Sequence, residues 1–345
     1  MIDPTASPAS VAPTVDRVAV IGAGAWGTAL ALVALRAGRR VSLLARDAEA
    51  VEAYRTTGRM PRRLGDIDLD PGLALTLDPA EALDGADLVI LSVPTRATRE
   101  AARAAARHLA PGVPVVGAAK GLEPGSLATV TEILAAELPT AIPAVLSGPS
   151  FAVDVARGLP TAVTVATRDD DAAERIAQAL SSSSFRPYAS HDVIGVQIGG
   201  ALKNVLAIAS GIVVGRGLGA SAQAALIARG FAELSRLGRA LGAETETLMG
   251  LSGLGDLVLT ATSPQSRNFS LGLALGRGGR IADLTAAGSK LAEGVHTASV
   301  AVDFAHTHGV EVPITAAVAE VVAERLAVDA AIERLMSRPL KRETD

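Results

Sequence analysis

Two lysines stand out because this chain makes its positive charge almost entirely from arginine. Only four of its 32 basic residues are lysines, and two of them, Lys120 and Lys203, lie in glycine-rich or apolar surroundings. Lysine, unlike arginine, gives up its proton when it is desolvated. Lys203 is the only charged residue in the run 195–215, so we interpret it as a candidate general acid or base. The alternative is a lysine that snorkels to the surface or pairs with a buried carboxylate.

A second group of side chains that could do chemistry lies further along the chain. Asp256 stands among glycines and apolar residues within the stretch 251–260. Ser266, Arg267 and Asn268 then bring a hydroxyl, a guanidinium and an amide together. An arginine flanked by short polar donors suits a phosphate group. The alternative is a helix whose N-terminus is capped by Ser266, with Arg267 in solvent.

A glycine motif near the N-terminus predicts a dinucleotide site. Residues 17–22 are apolar enough for a buried strand and lead into glycines at the spacing G-x-G-x-x-G, followed by a helical segment. In this context Gly22 permits a tight turn, Gly24 lets the backbone approach a pyrophosphate, and Gly27 lets the helix pack closely on the strand. The alternative is a glycine turn that serves packing alone.

The type of coenzyme is left open by the residues after the second strand. The predicted strand 41–44 is followed by Arg46 and Asp47, where the ribose of the adenosine half is normally recognised. Asp47 suits the ribose hydroxyls of NAD, whereas Arg46 suits the 2′-phosphate of NADP. The two residues therefore indicate different coenzymes.

Strand and helix patterns alternate through the first half of the chain. Strands that alternate with helices form a mostly parallel sheet, whose carboxyl edge carries the ligand site. Lys120 and the turn 147–152 lie at two such strand ends, although an exposed turn lysine is an equal alternative for Lys120. Short apolar runs predict about eight strands, at residues 17–22, 41–44, 73–77, 87–93, 113–118, 143–146, 161–167 and 185–188.

The second half of the chain has only helical patterns. The run 195–215 is long enough to span a membrane, but its Gln197, Lys203 and Asn204 and its glycines argue against that alternative. We interpret it as a helix buried in a large soluble protein. We predict a flexible tail at 1–16, a Rossmann domain at 17–190, a helical substrate domain at 191–336 and a second flexible tail at 337–345.

Composition excludes several classes of protein. The chain has 345 residues, is 49% hydrophobic and carries a net charge of -4, so we expect a folded protein that does not bind nucleic acid. It has no cysteine, and its five histidines lack paired ligand spacing apart from His306 and His308, so we expect no metal site. The first 16 residues lack the basic start and long apolar stretch of a signal peptide, so we expect a cytoplasmic protein.

Several motifs, taken in order, resemble those of the bacterial NAD(P)-dependent glycerol-3-phosphate dehydrogenases. They are GAGAWGTALA, AAKGLE, LSGPSFA, GGALKNVLAIASG, GLGDLVLTATSPQSRNFSLG and EGVHTA, and the similarity covers about residues 17 to 335. The resemblance implies a Rossmann domain followed by an all-α domain like the C-terminal domain of 6-phosphogluconate dehydrogenase. It also implies the reversible reduction of dihydroxyacetone phosphate to sn-glycerol 3-phosphate with NADH or NADPH, for phospholipid synthesis.

The resemblance also implies roles for individual residues. Lys203 aligns with the family's proton-transferring lysine, held by Asn204 and Asp256, and Lys120 with the lysine that touches both substrate and nicotinamide. The positions that match the substrate site are Lys120, Gly148, Ser150, Asp256, Thr260, Ser266, Arg267 and Asn268. Those that match the coenzyme site are Gly22, Gly24, Ala25, Trp26, Gly27, Arg46, Lys120, Ala152, Arg267, Leu291 and Glu293.

Two other interpretations are weighed against this one. Another two-domain dehydrogenase, of the 3-hydroxyacid or 6-phosphogluconate type, would also place a lysine on the helix between the domains. The segment Ser266-Arg267-Asn268 favours the glycerol phosphate family instead. A binding module that senses nucleotides would keep the glycines but not both lysines. We also expect a homodimer, because the helical domain has much apolar surface.

Overall fold

The N-terminal half folds into one eight-stranded sheet. The structure is a computed structural model that describes residues 15–286, 292–340 and 342. All eight predicted strands are present, with ends that differ only slightly from the predicted ones. In the described part of the chain they are β1 (Arg17–Ile21), β2 (Arg40–Leu44), β3 (Ala74–Thr76), β4 (Leu88–Leu91), β5 (Pro114–Gly117), β6 (Ile142–Ser147), β7 (Thr161–Ala166) and β8 (Phe185–Ser190).

The strand order places a switch point beside β1. The order is β3-β2-β1-β4-β5-β6-β7-β8, and all neighbouring pairs are parallel except β6 and β7, which are antiparallel. The direction of strand addition reverses between β1 and β4, and ligands bind outside the carboxyl ends of the strands at such a point. The mostly parallel sheet that the sequence predicts is confirmed.

Helices cover both faces of the sheet. Alternate residues of β1 belong to different apolar clusters, with Val18 and Val20 in one and Ala19 and Ile21 in the other. A sheet with two buried faces explains why its strands are continuous apolar runs. The helices of this half are α1 (Ala25–Arg36), α2 (Ala48–Thr57), α3 (Pro61–Leu64), α4 (Pro79–Leu83), α5 (Thr95–Ala105), α6 (Val130–Glu137), α7 (Ala152–Ala156) and α8 (Asp170–Leu180).

The turn between β1 and α1 depends on glycine. Gly22 has a φ of 108°, and a Cβ on it would lie 2.4 Å from the carbonyl oxygen of Ser92. A Cβ on Gly27 would lie 1.9 Å from the carbonyl oxygen of Gly22, so the helix can pack this closely only with glycine there. Gly24 differs, because a Cβ on it would meet nothing within 4 Å. Open space therefore lies in front of Gly24.

The described residues after β8 form helices and their connections. A π-helical turn, Leu251–Gly255, leads directly into one of them, α12. The helix α9 packs against α10, α12, α13, α15 and α16, so it is the centre of this half. The helices are α9 (Val193–Gly215), α10 (Ala220–Ala240), α11 (Thr245–Met249), α12 (Asp256–Thr262), α13 (Arg267–Gly276), α14 (Ile281–Ala286), α15 (Glu293–Thr307), α16 (Pro313–Val322) and α17 (Val328–Met336).

The apolar helix α9 is enclosed by the rest of the protein. Its length and composition would allow it to cross a membrane, but 89% of its most apolar stretch is buried inside the protein. The buried helix that the sequence predicts is therefore observed.

Two residues of the predicted N-terminal tail belong to the folded part. Val15 packs in the core beneath the sheet, and Asp16 pairs with Arg40 at the start of β2. These contacts correct the predicted tail 1–16 at its last two positions, while residues 1–14 lie outside the described part of the chain. The division between domains near residue 190 stays a prediction.

The helices α9 and α13 approach each other backbone to backbone. Gly211 and Gly215 of α9 face Gly272 and Gly276 of α13. A Cβ on Gly272 would lie 2.0 Å from the carbonyl oxygen of Ile208. The four-residue spacing puts the small residues on one stripe of each helix. The contact fixes the start of α13 beside the middle of α9.

We predict that Gly272→Ala destabilises the protein, because the new methyl group must push α13 away from α9. Overpacking of this kind costs roughly 1–3 kcal/mol or more. The midpoint of thermal unfolding, measured without coenzyme, should therefore fall by a few degrees. Gly255→Ala is the matched control, because the backbone of Gly255 is helical as well and its added methyl group would come no closer than 3.4 Å to another atom, so the midpoint should stay unchanged or rise slightly. An unchanged midpoint for Gly272→Ala would mean that the two helices separate without cost.

Candidate active site

Lys203 lies in the middle of α9 with its ammonium group enclosed. Its Nζ donates to Asp256 Oδ1, and to Thr260 Oγ1 at 2.9 Å. These partners are four residues apart on α12 and therefore share one face of that helix. The side chain of Lys203 is 8% exposed and that of Asp256 is fully buried. Lys203 does not snorkel to the surface. It pairs with a buried carboxylate, which is the other alternative that the sequence left open.

Lys120 reaches the same carboxylate from the sheet. It lies just beyond the carboxyl end of β5, and its Nζ donates to Asp256 Oδ2 at 2.7 Å and to the carbonyl oxygen of Gly148 at 3.0 Å. Gly148 follows β6, the neighbouring strand, and Ser150 Oγ donates to the same carbonyl oxygen at 3.0 Å. The side chain of Lys120 is 12% exposed, so it is not an exposed turn lysine.

The charges of this cluster affect each other. The pKa of Lys203 is lowered from 10.5 to about 8, mainly by burial and in smaller part by the Lys120 ammonium, while the Asp256 carboxylate acts in the opposite direction. One carboxylate thus serves two ammonium groups, which leaves the cluster with an excess of positive charge while both lysines are protonated. Such a cluster favours a ligand atom that gains negative charge, and Lys203 can exchange a proton near neutral pH.

Close backbone contacts bring these elements together. A Cβ on Gly199 would lie 2.5 Å from the carbonyl oxygen of Ser252, in the π-helical turn that precedes α12. A Cβ on Gly200 would lie 2.8 Å from Ser147 Oγ, at the end of β6. Both glycines lie one turn before Lys203, on the helix face that its side chain covers. They allow the turn before α12 and the end of β6 to pack directly on α9.

Asn204 belongs to a different contact from the one that the resemblance implies. Its Oδ1 accepts a hydrogen bond from Asn268 Nδ2 at 2.9 Å, and Asn268 Oδ1 accepts one from the backbone N–H of Gly294 at 2.9 Å. No hydrogen bond joins Asn204 to Lys203 within the described residues. Consecutive helical residues point in directions about 100° apart, so the side chains of 203 and 204 leave α9 on different sides. Asn204 therefore ties α9 to α13 and α15.

The segment Ser266-Arg267-Asn268 forms the start of α13. Ser266 Oγ accepts a hydrogen bond from the backbone N–H of Phe269 at 3.2 Å, so it caps the helix as the local alternative predicted. Arg267 is exposed, and no hydrogen bond or ion pair of its side chain is found in the part of the chain that the structure describes. Asn268 is buried against α9. The segment thus presents an uncommitted guanidinium beside a buried amide.

Three of the predicted coenzyme positions, Ala25, Trp26 and Ala152, lie on helices that meet near the turn of Gly24. Ala25 and Trp26 form the first turn of α1, which has no acidic residue, and Ala152 begins α7, which packs against α1. Trp26 Nε1 is buried without a hydrogen-bond partner among the described residues. Arg46 follows β2 with an exposed side chain. Open space before a helix N-terminus fits an anionic pyrophosphate.

The remaining coenzyme positions lie around the start of α15. Glu293 is its first residue and is exposed, while Leu291 lies outside the described residues. A Cβ on Gly121, which follows Lys120, would lie 3.6 Å from Thr297 Oγ1. The first turns of α15 therefore lie close to the loop that carries Lys120. No group of three histidine, aspartate or glutamate side chains that could hold a metal ion occurs within the described residues.

The comparisons with known proteins now identify the family. Residues 17–173 match the family described as NAD-dependent glycerol-3-phosphate dehydrogenase N-terminus, and residues 192–333 match its C-terminus counterpart. The chain belongs to this family. The other two-domain dehydrogenases are not favoured, because both halves of the chain match this family.

Relatives in this family are similar over almost their whole length. A glycerol-3-phosphate dehydrogenase, NAD(P)+, of Bradyrhizobium sp. strain BTAi1 is 57% identical over 328 residues, which are 95% of this chain and 98% of the relative. That of Rhodospirillum rubrum is 55% identical over 328 residues, 95% of this chain and 94% of the relative. The crystal structure of the glycerol-3-phosphate dehydrogenase of Coxiella burnetii superimposes with a TM-score of 0.89 at 37% identity, covering 94% of this chain and 100% of that chain.

The sequence did not predict the hydrogen bonds that connect the site helix α9 to the Rossmann half. Gln197 of α9 accepts a hydrogen bond from the backbone N–H of Thr131 at 2.9 Å and donates to Thr131 Oγ1 at 3.0 Å. This two-point contact joins α9 to α6, one helix from each half. Its signal in the sequence is a buried amide within an apolar run, nearly two turns before Lys203, but nothing local identifies the partner.

We predict that Gly24→Val abolishes binding of both NADH and NADPH, because the branched side chain fills the space in front of α1. The structure leaves room for this side chain in the absence of coenzyme, and the φ of -77° suits valine, so the variant should fold. Quenching of Trp26, the only tryptophan, would report binding. An unchanged titration in a variant with the wild-type unfolding midpoint would mean that this turn serves packing alone.

Proposed function

We propose that this chain catalyses the reversible reduction of dihydroxyacetone phosphate to sn-glycerol 3-phosphate with NADH or NADPH. The observation that carries the proposal is the pair Lys120 and Lys203, which reach one buried carboxylate, Asp256, at the carboxyl edge of a Rossmann sheet. The family membership of both halves supports the same reaction. The bound coenzyme supplies a hydride to the ketone carbon, so the protein must supply a proton to the ketone oxygen.

Lys203 is the proton donor in this proposal. An ammonium group has three N–H donors, and two of those of Lys203 are used by Asp256 and Thr260. The third remains for a substrate oxygen. The lowered pKa, about 8, makes the proton easier to transfer than that of an ordinary lysine, and in the reverse reaction the neutral amine acts as the base.

Lys120 orients and polarises the carbonyl group. Two of its three donors are used by Asp256 and by the carbonyl oxygen of Gly148, which again leaves one N–H for the substrate. Asp256 holds both lysines at fixed positions before substrate arrives, so their charge needs little rearrangement during the reaction. Asn204 contributes as a positioning residue, through Asn268.

The start of α13 binds the phosphate group in this proposal. The guanidinium of Arg267 is exposed and can form two parallel hydrogen bonds to phosphate oxygens. Ser266 and Asn268 flank it, and the Asn204–Asn268 contact ties this segment to α9 only one residue from Lys203. Binding energy from the phosphate end would therefore position the ketone end for reaction. Gly148, Ser150 and Thr260 complete the proposed substrate site.

The coenzyme occupies the crevice at the switch point of the sheet. The turn Gly22-Ala23-Gly24 and the first turn of α1 hold the pyrophosphate, because their backbone N–H groups and open space suit an anion. Arg46 lies where the adenosine half binds. A nicotinamide ring that reduces a ketone held by Lys120 and Lys203 would have to lie beside these two lysines. The other proposed coenzyme positions are Ala25, Trp26, Gly27, Lys120, Ala152, Arg267, Leu291 and Glu293.

We also propose a metabolic role, a cellular location and an oligomeric state for the enzyme. Its product is the backbone precursor of glycerophospholipids, and a cytoplasmic location would suit a substrate and coenzymes found there. A homodimer is supported by apolar surface at the junction of α9 and α10, where Val214 is 39% and Leu218 is 45% exposed.

We predict that dihydroxyacetone phosphate reduction falls as the pH rises through about 8, because Lys203 must be protonated to donate, whereas glycerol 3-phosphate oxidation rises over the same range. Lys203→Ala should lower kcat on the order of 10² to 10⁴-fold, remove this pH inflection and leave coenzyme affinity nearly intact. The loss of NADH or NADPH absorbance gives both rates. Absence of turnover in the folded wild type with either coenzyme would contradict the proposed function, and an unchanged inflection in the variant would exclude Lys203 as the proton donor.

We predict that Arg267→Ala lowers kcat/KM for dihydroxyacetone phosphate on the order of 10² to 10³-fold, because the charged fork to the phosphate is lost. Lysine at this position should restore only part of the activity, since it lacks the planar fork. Arg277→Ala, at the other end of the same helix, is the matched control and should have little effect.

The phosphate-free substrate dihydroxyacetone separates the possible roles of Arg267. The wild type should reduce it very poorly, and Arg267→Ala should hardly change that residual rate. Equal losses on both substrates would mean that Arg267 acts on the coenzyme or the fold. No loss on either would leave it as a solvated residue at a helix start.

A further inference from the structure

The loop that follows β5 carries Lys120 and contacts both halves of the protein. It comprises residues 118–128, begins with the motif AAKGLE, and is called the Lys120 loop below. Leu122 of this loop is buried in one apolar cluster with residues of α9, α10 and α15. Glu123, the next residue, pairs with Arg99 of α5 in the sheet half. The position of Lys120 therefore depends on how this loop is held between the two halves.

Two parallel hydrogen bonds join Arg99 to the carboxylate of Glu123. Arg99 Nε donates to Glu123 Oε1 at 2.9 Å, and Arg99 Nη2 donates to Glu123 Oε2 at 2.7 Å. The side chain of Glu123 is only 13% exposed, and the guanidinium lowers the pKa of this carboxyl group below its usual value. A planar guanidinium that binds both oxygens fixes the direction of a carboxylate as well as its distance. Glu123 is therefore held in one orientation on α5.

A second contact between the Lys120 loop and α5 lies one turn earlier on that helix. A Cβ on Gly121 would lie 3.0 Å from Thr95 Oγ1, in the first turn of α5. Thr95 and Arg99 are four residues apart, so both contacts lie on one face of the helix. The segment 121–123 therefore runs along α5. A shift of Glu123 would move Lys120, which comes directly before this segment.

Arg99 also pairs with a second carboxylate. Its Nη1 donates to Oε1 of Glu137, the last residue of α6, at 2.7 Å. Arg103, one turn later on α5, donates to Oε2 of Glu137 through its Nε at 3.0 Å, and its side chain is 68% exposed. Within the described residues, Arg99 thus joins α5 to the Lys120 loop and to α6, whereas Arg103 joins α5 to α6 alone.

We propose that Glu123 and Arg99 are positioning residues that hold Lys120 in place for the reaction. The inference rests on the proposed function, in which Lys120 orients the carbonyl group of the substrate. The ion pair fixes Glu123 on α5, and the short segment 121–123 transmits this constraint to Lys120. If the ion pair is lost, Lys120 moves away from Asp256, and this carboxylate then pairs more fully with Lys203.

The pKa of Lys203 reports where Lys120 lies. Burial has the largest effect on this pKa, and two charged groups act beside it: the Asp256 carboxylate, which raises it, and the Lys120 ammonium, which lowers it. Movement of Lys120 away from the cluster should therefore raise the pKa of Lys203 above its value of about 8. A change that only reduces the fraction of folded protein would lower the rate without changing this pKa.

An NMR titration and steady-state kinetics of Glu123→Gln test this proposal. The chain has only four lysines, so lysine labelled with carbon-13 at the ε position can resolve Lys203 without substrate, and Lys203→Ala assigns its signal. Glu123→Gln keeps the shape of the side chain and removes its charge. We expect the pKa of Lys203 to rise by about half a unit or more. We also expect kcat/KM for dihydroxyacetone phosphate to fall about 10- to 100-fold, since a small displacement of an orienting group is costly.

Arg99→Lys provides a second test in case Glu123→Gln does not fold. Lysine keeps the positive charge on α5 but lacks the planar fork that binds both oxygens of Glu123. The pKa of Lys203 and kcat/KM should change in the same directions as in Glu123→Gln, and by less. A variant of Arg99 with wild-type values of both would contradict the proposal.

Arg103→Gln is the matched control, because it removes a charge from the same helix but leaves the contact with Glu123 intact. It should keep the pKa of Lys203 and change kcat/KM less than about threefold, since an exposed, paired charge contributes little. Equal effects of Arg103→Gln and Glu123→Gln, or a pKa of Lys203 that Glu123→Gln leaves unchanged, would overturn the proposal. The NMR titration needs no turnover, so it tests the positioning of Lys120 even if the wild type does not reduce dihydroxyacetone phosphate, which would contradict the proposed function instead.

Discussion

The carboxylate of Asp256 is the group on which the arrangement of this protein depends. It is fully buried, and a buried carboxylate without partners would be strongly destabilising. Its two partners come from different halves of the chain, Lys203 from the central helix of the second half and Lys120 from a strand end of the first. The three groups can meet only if α9 and α12 pack against the carboxyl edge of the sheet. Removing Asp256 would leave two ammonium groups in the interior without a carboxylate, so the position of the two halves and the chemistry of the site depend on the same contact.

Glycines in α9 allow the elements that carry these three groups to pack closely together. The helix α9 contains glycines at positions where a strong helix former would be expected, and each costs roughly 1 kcal/mol of helix propensity relative to alanine. Gly199 and Gly200 let the turn before α12 and the end of β6 lie directly on α9, while Gly211 and Gly272 let α13 do the same. The cost in propensity is offset by contacts that side chains would prevent. The glycines within this apolar run therefore mark a helix on which other elements pack closely from several sides.

Much of the fold could be predicted because its signals are local. Apolar runs and glycine turns predicted the strands and the buried helix. The apolar pattern of β6 and β7 does not show that these two consecutive strands pair in antiparallel orientation. Within the site, composition was enough to single out Lys120 and Lys203. Their shared partner was not predictable from the residues alone, since Asp256 lies 136 and 53 residues away from them. Asn204 was expected to hold Lys203, but its hydrogen bond joins it to Asn268, because adjacent residues of a helix point in different directions.

The use of lysine at this one site follows from the same burial that makes Asp256 costly. Arginine would keep its charge there and could only bind, whereas burial brings the pKa of Lys203 to about 8 and so allows it both to hold and to release a proton. The partner groups limit what the ammonium can do: Asp256 and Thr260 occupy two of its three donors and fix the direction of the third. Lys120 is held in the same way by Asp256 and the strand end. Each lysine directs one free N–H donor, and the cluster carries a net positive charge before any substrate arrives. The site is therefore prepared for an oxygen atom that becomes negative. Arginine, which does not release its proton, is suited to positions where a positive charge only has to bind an anion.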